Sequence, residues 1–449
     1  MAPVFSKDDL TPEQLHILDK VLLDAHKKDK TQPLVLYVGG AGGTGKTVVI
    51  NCIVDQIGIA HVIVCGSTAM AGRNINGNTI HSILKLNPFS EAQDDIPLPP
   101  HPHLLLLIID EISMCDAKLL RRIEKRLRQL MQNDLPFGGC TVVFFGDLLQ
   151  IPPVSRNDKF GSPLPTDWIF KSPLWQKFVK YEELETIMRQ ERDPEFGKML
   201  SRWRIGSHTQ QDRDFLDSLA ENFSQRCPTQ EFCRQYDNRK ASMILAYTNE
   251  MIGKLNKKIT YKFFNESQLF NISKSHHSYN GQEKSMNTKH TLMFKVGVGS
   301  RVMIGKNIDS RLVNGEICSV LSIQAIENQV ISMDLRLSSD HGTRADFTPV
   351  KDSITKGFNS ETWTTSYPIH PAYAVTYHKA QGQTLDSVFL VTEKVLPPAL
   401  FYVGASRVRS REGLHILNFN AADSIRADPE AIEEYKRLRV SVGKSPLPI

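Results

Sequence analysis

An apolar run, Leu34–Val38, delivers the chain into Gly40-Ala-Gly-Gly-Thr-Gly45-Lys46-Thr47. That junction constrains the fold more than any other segment. Glycines at 40, 42, 43 and 45 let successive backbone N–H groups turn toward one anion, and a helix starting at Lys46 adds its N-terminal dipole. The segment fits GxxxxGK[ST] in full. In that template the lysine reaches the β- and γ-phosphates of a nucleotide and the hydroxyl residue ligates Mg²⁺. Gly40, Gly42, Gly43, Thr44, Gly45, Lys46 and Thr47 are therefore candidate nucleotide-binding residues. The loop also demands a context: a buried strand before it, a helix after it, and a parallel sheet to hold both.

The first 180 residues supply that context. His61–Cys65, Leu104–Ile109 and Thr141–Phe145 are further wholly apolar runs, the pattern of strands buried on both faces. Amphipathic helical segments lie between them. In one, Leu119, Leu120, Ile123, Leu127 and Leu130 oppose Arg121, Arg122, Lys125, Arg126 and Arg128; that basic face reads as a solvated helix face rather than a nucleic-acid patch. Leu86–His103, with five prolines and an acidic stretch, is a small excursion from the sheet, and the proline-rich Gln150–Pro173 reads as a linker or long loop. Met243–Tyr247 and Ser387–Thr392 look like strands of a second α/β unit, with a helix at Asn249–Tyr261. Val298–Asp352 alternates over short strands, with Asn314-Gly315 at a turn, as a small β-barrel or curled sheet does. Phe264–His290 is polar and weakly patterned and reads as a loop.

A phosphate loop needs a carboxylate at the end of a neighbouring strand. Leu104–Ile109 runs into Asp110-Glu111, where Asp110 is the expected Mg²⁺ partner and Glu111 the general base. Thr141–Phe145 runs into Gly146-Asp147-Leu-Leu-Gln150, which places the Gln150 amide at the same sheet edge, able to sense the γ-phosphate. Arg189 and Arg407 are candidates for stabilising charge on a transferring phosphoryl group.

Composition narrows the class. At 449 residues the chain has room for roughly three domains of about 150 residues. Its longest purely aliphatic run is Leu104–Ile109, against the roughly 20 residues of a membrane-spanning helix. Met1–Leu10 carries no secretory pattern, and the seven cysteines form no CxxC pair. These features point to an intracellular chain that is not secreted, without a disulfide or zinc framework. A net charge of +5 is compatible with a nucleic-acid partner.

Together these segments resemble superfamily 1 helicases, and more closely the superfamily 1B group of Pif-type and RecD-like DNA helicases, with some similarity to phage Dda-type enzymes. Leu10-Thr-Pro-Glu-Gln14 resembles the Q motif, which implies that Gln14 reads adenine. Gly40–Thr47 resembles motif I and Asp110–Met114 motif II. Gly146–Pro153 resembles motif III and Arg189-Gln190 motif IV. Ser67–Ala71 with Gly77–Ser82 is similar to motif Ia and its extension. Tyr377–Leu385 resembles motif V, and Tyr402–Arg409 motif VI. Gly297–Asn307 with Val313–Glu316 is similar to a stretch of the Pif-type branch.

The resemblance implies two RecA-like parallel-sheet domains in tandem, with ATP and Mg²⁺ between them. Domain 1A would cover 1–180, with a 1B wedge at about 83–103. Domain 2A would cover 181–297 and 365–449, and a β-domain 2B would be inserted at 298–364. The first domain would supply Gln14, Lys46, Thr47, Asp110, Glu111 and Gln150, the second Arg189 and Arg407, so that hydrolysis needs closure. Thr68, His81, Pro152, His378 and Lys379 would contact single-stranded DNA, and Phe89 would meet the last base pair of a duplex. The implied activity is ATP-dependent 5′→3′ DNA unwinding in replication, repair or recombination. It would act on single-stranded and forked or 5′-tailed DNA, in a nucleus or at a cellular or viral replication site, with a monomer as the working unit. The alternatives are an RNA helicase or protein-displacing translocase, and a non-catalytic nucleotide-binding scaffold.

Overall fold

The structure, a computed structural model, describes residues 7–87, 91, 94, 97–153, 165–224, 228–237, 241–280, 285–309, 311–338, 342–357, 360–392, 395–417 and 421–447. Its first sheet contains β1 (Val35–Gly40), β2 (Val62–Gly66), β3 (Asn78–Thr79), β4 (Leu106–Asp110), β5 (Thr141–Gly146) and β6 (Val179–Leu184). Their order is β3-β2-β4-β5-β1-β6 and every pairing is parallel. β1, β4 and β5 are buried along their whole length, because helices cover both faces. One layer of core, with Ile17, Ile50 and Phe145, lies under the first helices; the other, with Ile109, Leu120 and Phe144, lies under the helix Ala117–Met131. β1, β5 and β4 are neighbours, so the loops leaving their C-terminal ends meet at one edge.

The second parallel sheet is smaller. β7 (Ser242–Ala246) lies between β17 (Ala374–Thr376) and β18 (Ser387–Leu390), with β19 (Leu414–Ile416) outermost. Two RecA-like parallel sheets in tandem match the expectation.

Between β7 and β17 the chain builds a nine-stranded, mostly antiparallel sheet. It comprises β8 (Phe270–Asn280), β9 (Ser285–Val296), β10 (Arg301–Ile304), β11 (Ile317–Ile326), β12 (Gln329–Leu337), β13 (Thr343–Phe347), β14 (Val350–Gly357), β15 (Ser360–Ser366) and β16 (Ile369–Pro371). Its strands curl around a shared core that includes Ile272, Val302, Leu335, Phe347 and Ile369.

Three domain boundaries differ from those expected. A cut at 180/181 would split β6, which is the edge strand beside β1. The β-domain begins at β8 rather than at 298. The stretch expected as a loop at Phe264–His290 is largely the β8–β9 hairpin, paired from Phe270↔Val296 to Asn280↔Ser285. It was hidden because its residues are mostly exposed or half-buried and polar, so neither face carries an apolar stripe. Finally, the C-terminal helix Pro429–Ser441 leaves the second domain and returns to the first, where Ala431, Tyr435 and Leu438 join the core. Its Tyr435 hydroxyl donates to Glu183 at 2.6 Å and its Glu434 accepts from the Trp175 indole N–H at 2.8 Å.

The excursion after Leu86 is pinned from below. Asp94 is buried and accepts two hydrogen bonds from Arg122, at 2.5 and 2.6 Å; Arg122 also donates to the Asn87 carbonyl at 2.7 Å. Arg126 is buried and donates to the Leu84 carbonyl at 2.8 Å. The face expected to be solvated thus spends two of its cations holding the base of the excursion. Phe89 lies outside the described residues.

Candidate active site and strand-binding edge

The loop Gly40–Gly45 leaves β1 and turns into the helix Lys46–Ile57. Lys46 folds back over it, donating to the carbonyls of Gly40 and Ala41 at 2.8 and 2.9 Å. Gly43 has φ +93°, in the left-handed region, and a Cβ there would lie 2.4 Å from the Arg189 Cβ; only glycine fits. Beyond the loop opens a cavity of 570 Å³ whose walls include Gln14, Thr47, Asp110, Glu111, Gln150 and Arg407.

Gln14 reaches this cavity through a local device. Thr11 caps the helix Pro12–Ala25, and Gln14, three residues on, completes a capping box. The Gln14 Oε1 accepts from the Thr11 N–H at 3.0 Å, while its Nε2 donates to the Thr44 carbonyl at 3.3 Å. The glutamine therefore braces the phosphate loop from behind, a role that its motif did not suggest.

Asp110 ends β4 and is buried. Burial and the adjacent Glu111 carboxylate raise its pKa to about 7, against the counter-pull of Lys46 and the Glu111 N–H. Glu111 follows in the left-handed region, φ 54° and ψ 49°, a conformation costing roughly 1–3 kcal/mol outside glycine. The Ser67 hydroxyl secures it by donating to the Glu111 carbonyl at 2.8 Å. Gln150 is buried, and its Oε1 has no partner among the described residues; its Nε2 donates to Asp147 at 3.4 Å. The elements of a hydrolytic site are present: a cation at the phosphate loop, a carboxylate pair, and a buried amide acceptor on the cavity wall.

Both predicted arginines arrive. Arg407, on the segment after the helix Leu400–Ala405, is buried; its Nε donates to the Val403 carbonyl at 2.7 Å and its Nη2 to the Ser406 hydroxyl at 2.7 Å. Arg189 donates to the Ser406 carbonyl at 3.0 Å. Burial, with Arg407 alongside, lowers its pKa to about 10. Their guanidinium nitrogens lie 3.3 and 3.5 Å from where a Gly42 Cβ would stand, so both face the loop. Arg189 does not belong to the second domain as expected. It follows β6, and the N–H groups of Met188 and Arg189 both bond the Gly43 carbonyl, at 2.9 and 3.2 Å. Of the two, only Arg407 is carried by the second domain; the Arg189 guanidinium reaches that domain through the Ser406 carbonyl.

Three further residues join the site. Tyr402 accepts from the Gly42 N–H at 3.1 Å and donates to Asp147 at 3.4 Å. Gln381 donates to Glu111 Oε2 at 2.9 Å. Arg204 makes a fork with buried Asp147, at 2.9 Å from both Nη2 and Nε. Burial alone would raise the Asp147 carboxyl, but the Arg204 charge and hydrogen bonds hold it below the ordinary range. Tyr402 and Gln381 stand inside quoted motifs, which is the signal that could have found them; Arg204 carries none.

The expected strand contacts all follow C-terminal ends of parallel strands, the side where open α/β sheets bind ligands. Thr68 follows β2, but its hydroxyl accepts from the Ala71 N–H at 3.1 Å, capping the helix Ala69–Asn74. His81 follows β3, and burial with Arg122 nearby disfavours its protonation. Pro152 follows β5 and is half-buried. His378, half-buried, and Lys379 sit on the short helix Tyr377–Ala380 after β17, where partial loss of surrounding water lowers both their pKa values.

A family model described as PIF1-like helicase matches residues 9–214. The chain is 25% identical over 455 residues to the zebrafish (Danio rerio) ATP-dependent DNA helicase PIF1, covering 97% of this chain and 65% of that protein. It is 27% identical over 456 residues to the Pif1 helicase of Bdellovibrio bacteriovorus, covering 96% and 92%. The Bacteroides Pif1 helicase, solved with ADP-AlF3 and single-stranded DNA, superposes with a TM-score of 0.72 at 24% identity over 97% of this chain and 98% of that one. The chain thus spans about two-thirds of the zebrafish relative's length and nearly all of the bacterial one's. The likeness runs through the β-domain and the second sheet as well as the phosphate loop, so nearly the whole chain is similar to PIF1-like helicases.

Proposed function

We propose that this chain is an ATP-dependent DNA helicase that translocates 5′→3′ along one strand and unwinds tailed or forked duplexes. The observation that carries the reading is the interface itself: Arg407 and Tyr402 from the second domain meet Gly42 of the phosphate loop, so nucleotide and domain closure share one set of contacts.

Lys46 and the loop N–H groups would hold the β- and γ-phosphates. Glu111 would take the proton of the attacking water, and Arg189 and Arg407 would spread the charge that develops on the phosphoryl group. The residues fit a bound Mg²⁺: Asp110 is a buried carboxylate beside a second one, in need of a positive charge, and Thr47 presents an exposed hydroxyl to the same cavity. Asp110 and Thr47 would hold the ion, which supplies charge neutralisation at the phosphates when bound. Loss of the γ-phosphate would free Arg407 and let the domains part. DNA held at Thr68, His81 and Pro152 on one side, and at His378 and Lys379 on the other, would be drawn along by each cycle. The zebrafish and Bdellovibrio relatives are named as ATP-dependent DNA helicases, and the Bacteroides neighbour was solved with single-stranded DNA, which supports DNA as the track. A replication, repair or recombination role follows from that track, in a nucleus or wherever DNA is copied, with one chain as the working unit. Among the described residues no helix is long and apolar enough to cross a membrane.

The test is strand displacement on duplexes carrying a 5′ or a 3′ single-stranded tail, with DNA and RNA versions of each. ATP-dependent opening of the 5′-tailed DNA substrate is expected. Opening only of the 3′-tailed duplex reverses the polarity, and opening only of RNA removes the DNA assignment.

A further inference from the structure

We infer that Gln381 is a positioning residue for hydrolysis, and the relay through which strand occupancy sets the Glu111 carboxylate. The inference rests on the helicase reading and adds to it a residue with a defined task.

Glu111 is the group whose placement the structure controls most closely. Its backbone occupies the left-handed region, tied by the Ser67 hydroxyl and by its own N–H to Asp110. Those bonds fix the backbone and leave the side chain to be aimed. The Gln381 Nε2 does the aiming, donating to Glu111 Oε2 at 2.9 Å and standing 3.4 Å from the Ser113 hydroxyl oxygen. Gln381 is buried, 6% exposed, and so is Ser113, so water does not compete for this amide. Its Oε1 is also buried and has no partner among the described residues. An amide held with one end unsatisfied, at a cost of about 1–3 kcal/mol, is placed for what its other end does.

The chain then leads directly outward. Gln381 closes the helix Tyr377–Ala380, whose N-cap Thr376 accepts from the Lys379 N–H at 3.3 Å. His378 and Lys379, the expected strand contacts of the second domain, therefore stand three and two residues before the amide on one helical turn. On its other side, the Gly382 carbonyl accepts from Asn74 Nδ2 at 3.3 Å. Asn74 ends the helix capped by Thr68, an expected strand contact of the first domain. One short segment thus touches the elements carrying strand contacts of both domains, together with the general base. A strand that shifts either helix shifts Gln381 and, with it, the carboxylate. This is a contiguous physical connection between the expected strand contacts and Glu111.

Steady-state ATPase of wild type, Gln381→Ala and Gln381→Glu, with and without an oligo-dT, tests it. A hydrogen bond to a charged group is worth enough for kcat in the presence of oligo-dT to fall about 10-fold or more in Gln381→Ala, with KM for ATP and ADP affinity held within about 3-fold. The isosteric Gln381→Glu is the discriminating variant. It preserves the packing volume but sets a carboxylate against Glu111, so it must be at least as impaired as alanine. Glutamate more active than alanine overturns the proposal, because it assigns the residue to packing; so does a change confined to KM. A wild type that hydrolyses ATP without stimulation by oligo-dT overturns the helicase reading and the relay together. Stimulated wild type with unaffected variants overturns the relay alone.

Discussion

Lys46 bonds two carbonyls of its own loop, Gly40 and Ala41, and burial lowers its pKa against the pull of Asp147, Glu111 and Asp110. The ammonium is held in place by groups that a nucleotide phosphate would replace. Lys46→Ala is therefore expected to abolish ATP hydrolysis and unwinding while DNA binding persists. Turnover assays alongside fluorescence anisotropy on an oligo-dT read both halves, and normal unwinding by the variant would remove the assignment. Glu111→Gln separates a second task. Removing the general base proposed at Glu111 costs about 10²–10⁴-fold in rate and leaves phosphate binding in place, so kcat should collapse while ADP affinity holds; equal loss of both would mean that the residue is structural. The placement of Lys46, Asp110 and Glu111 around one cavity was legible in the sequence because the motifs fix their spacing from strands that announce themselves. Tyr402 and Gln381 were visible as letters but not as contacts, since each acts on a loop more than 250 residues away in sequence.

The strands of the first sheet were legible for a physical reason: buried on both faces, β1, β4 and β5 must be apolar at every position. The β8–β9 hairpin obeys no such demand. Its pairs, among them His276↔Lys289 and His277↔Thr288, are held by backbone bonds and polar neighbours such as Thr365, which hydrogen-bonds His277 at 2.9 Å. The helix Pro194–Arg204 shows the same gap between element and connection. Its cap, Asp193, accepts from the Phe196 N–H at 3.2 Å and from Arg411 at 2.6 Å, and the second bond is invisible in sequence. Hydrogen bonds from Arg411 hold Asp193 below the ordinary carboxylate value of 3.8, at about 2. A carboxyl whose folded pKa is depressed stabilises the fold above its unfolded value and loses that contribution as pH falls through the folded one. Urea denaturation of the second domain, followed from pH 5 down to 2, should show its midpoint falling below pH 4. Arg411→Ala should flatten that dependence, and an unchanged slope would show the pair to be energetically silent.

Across the whole molecule, the nucleotide interface is only one of the places where the first domain is gripped. The C-terminal helix recrosses to it, Asp147 is locked to Arg204, and the β-domain reaches it through the turn at Asn314-Gly315-Glu316. There Gly315 has φ +98° and sits so close to the helix Ala69–Asn74 that a Cβ would come within 2.6 Å of the Met70 side chain. Arg73 of that helix donates to Glu316 at 2.6 Å and to the Arg311 carbonyl at 2.7 Å. Glu316 is 1% exposed. Breaking a buried pair by removing one partner costs about 3–5 kcal/mol, and here the cost falls on the seating of the β-domain rather than on its core, which lies around Val302 and Leu335. Glu316→Ala should accordingly raise hydrogen exchange in the helix Ala69–Asn74 and at 311–316, leaving β10–β12 protected. Since the same helix is capped by Thr68 and ends at Asn74 against Gly382, the variant should also weaken oligo-dT affinity without altering ADP binding. Unchanged exchange at both segments would show that the β-domain is held elsewhere. Exchange rising through β10–β12 as well would show that Glu316 supports the fold of the domain and not its attachment.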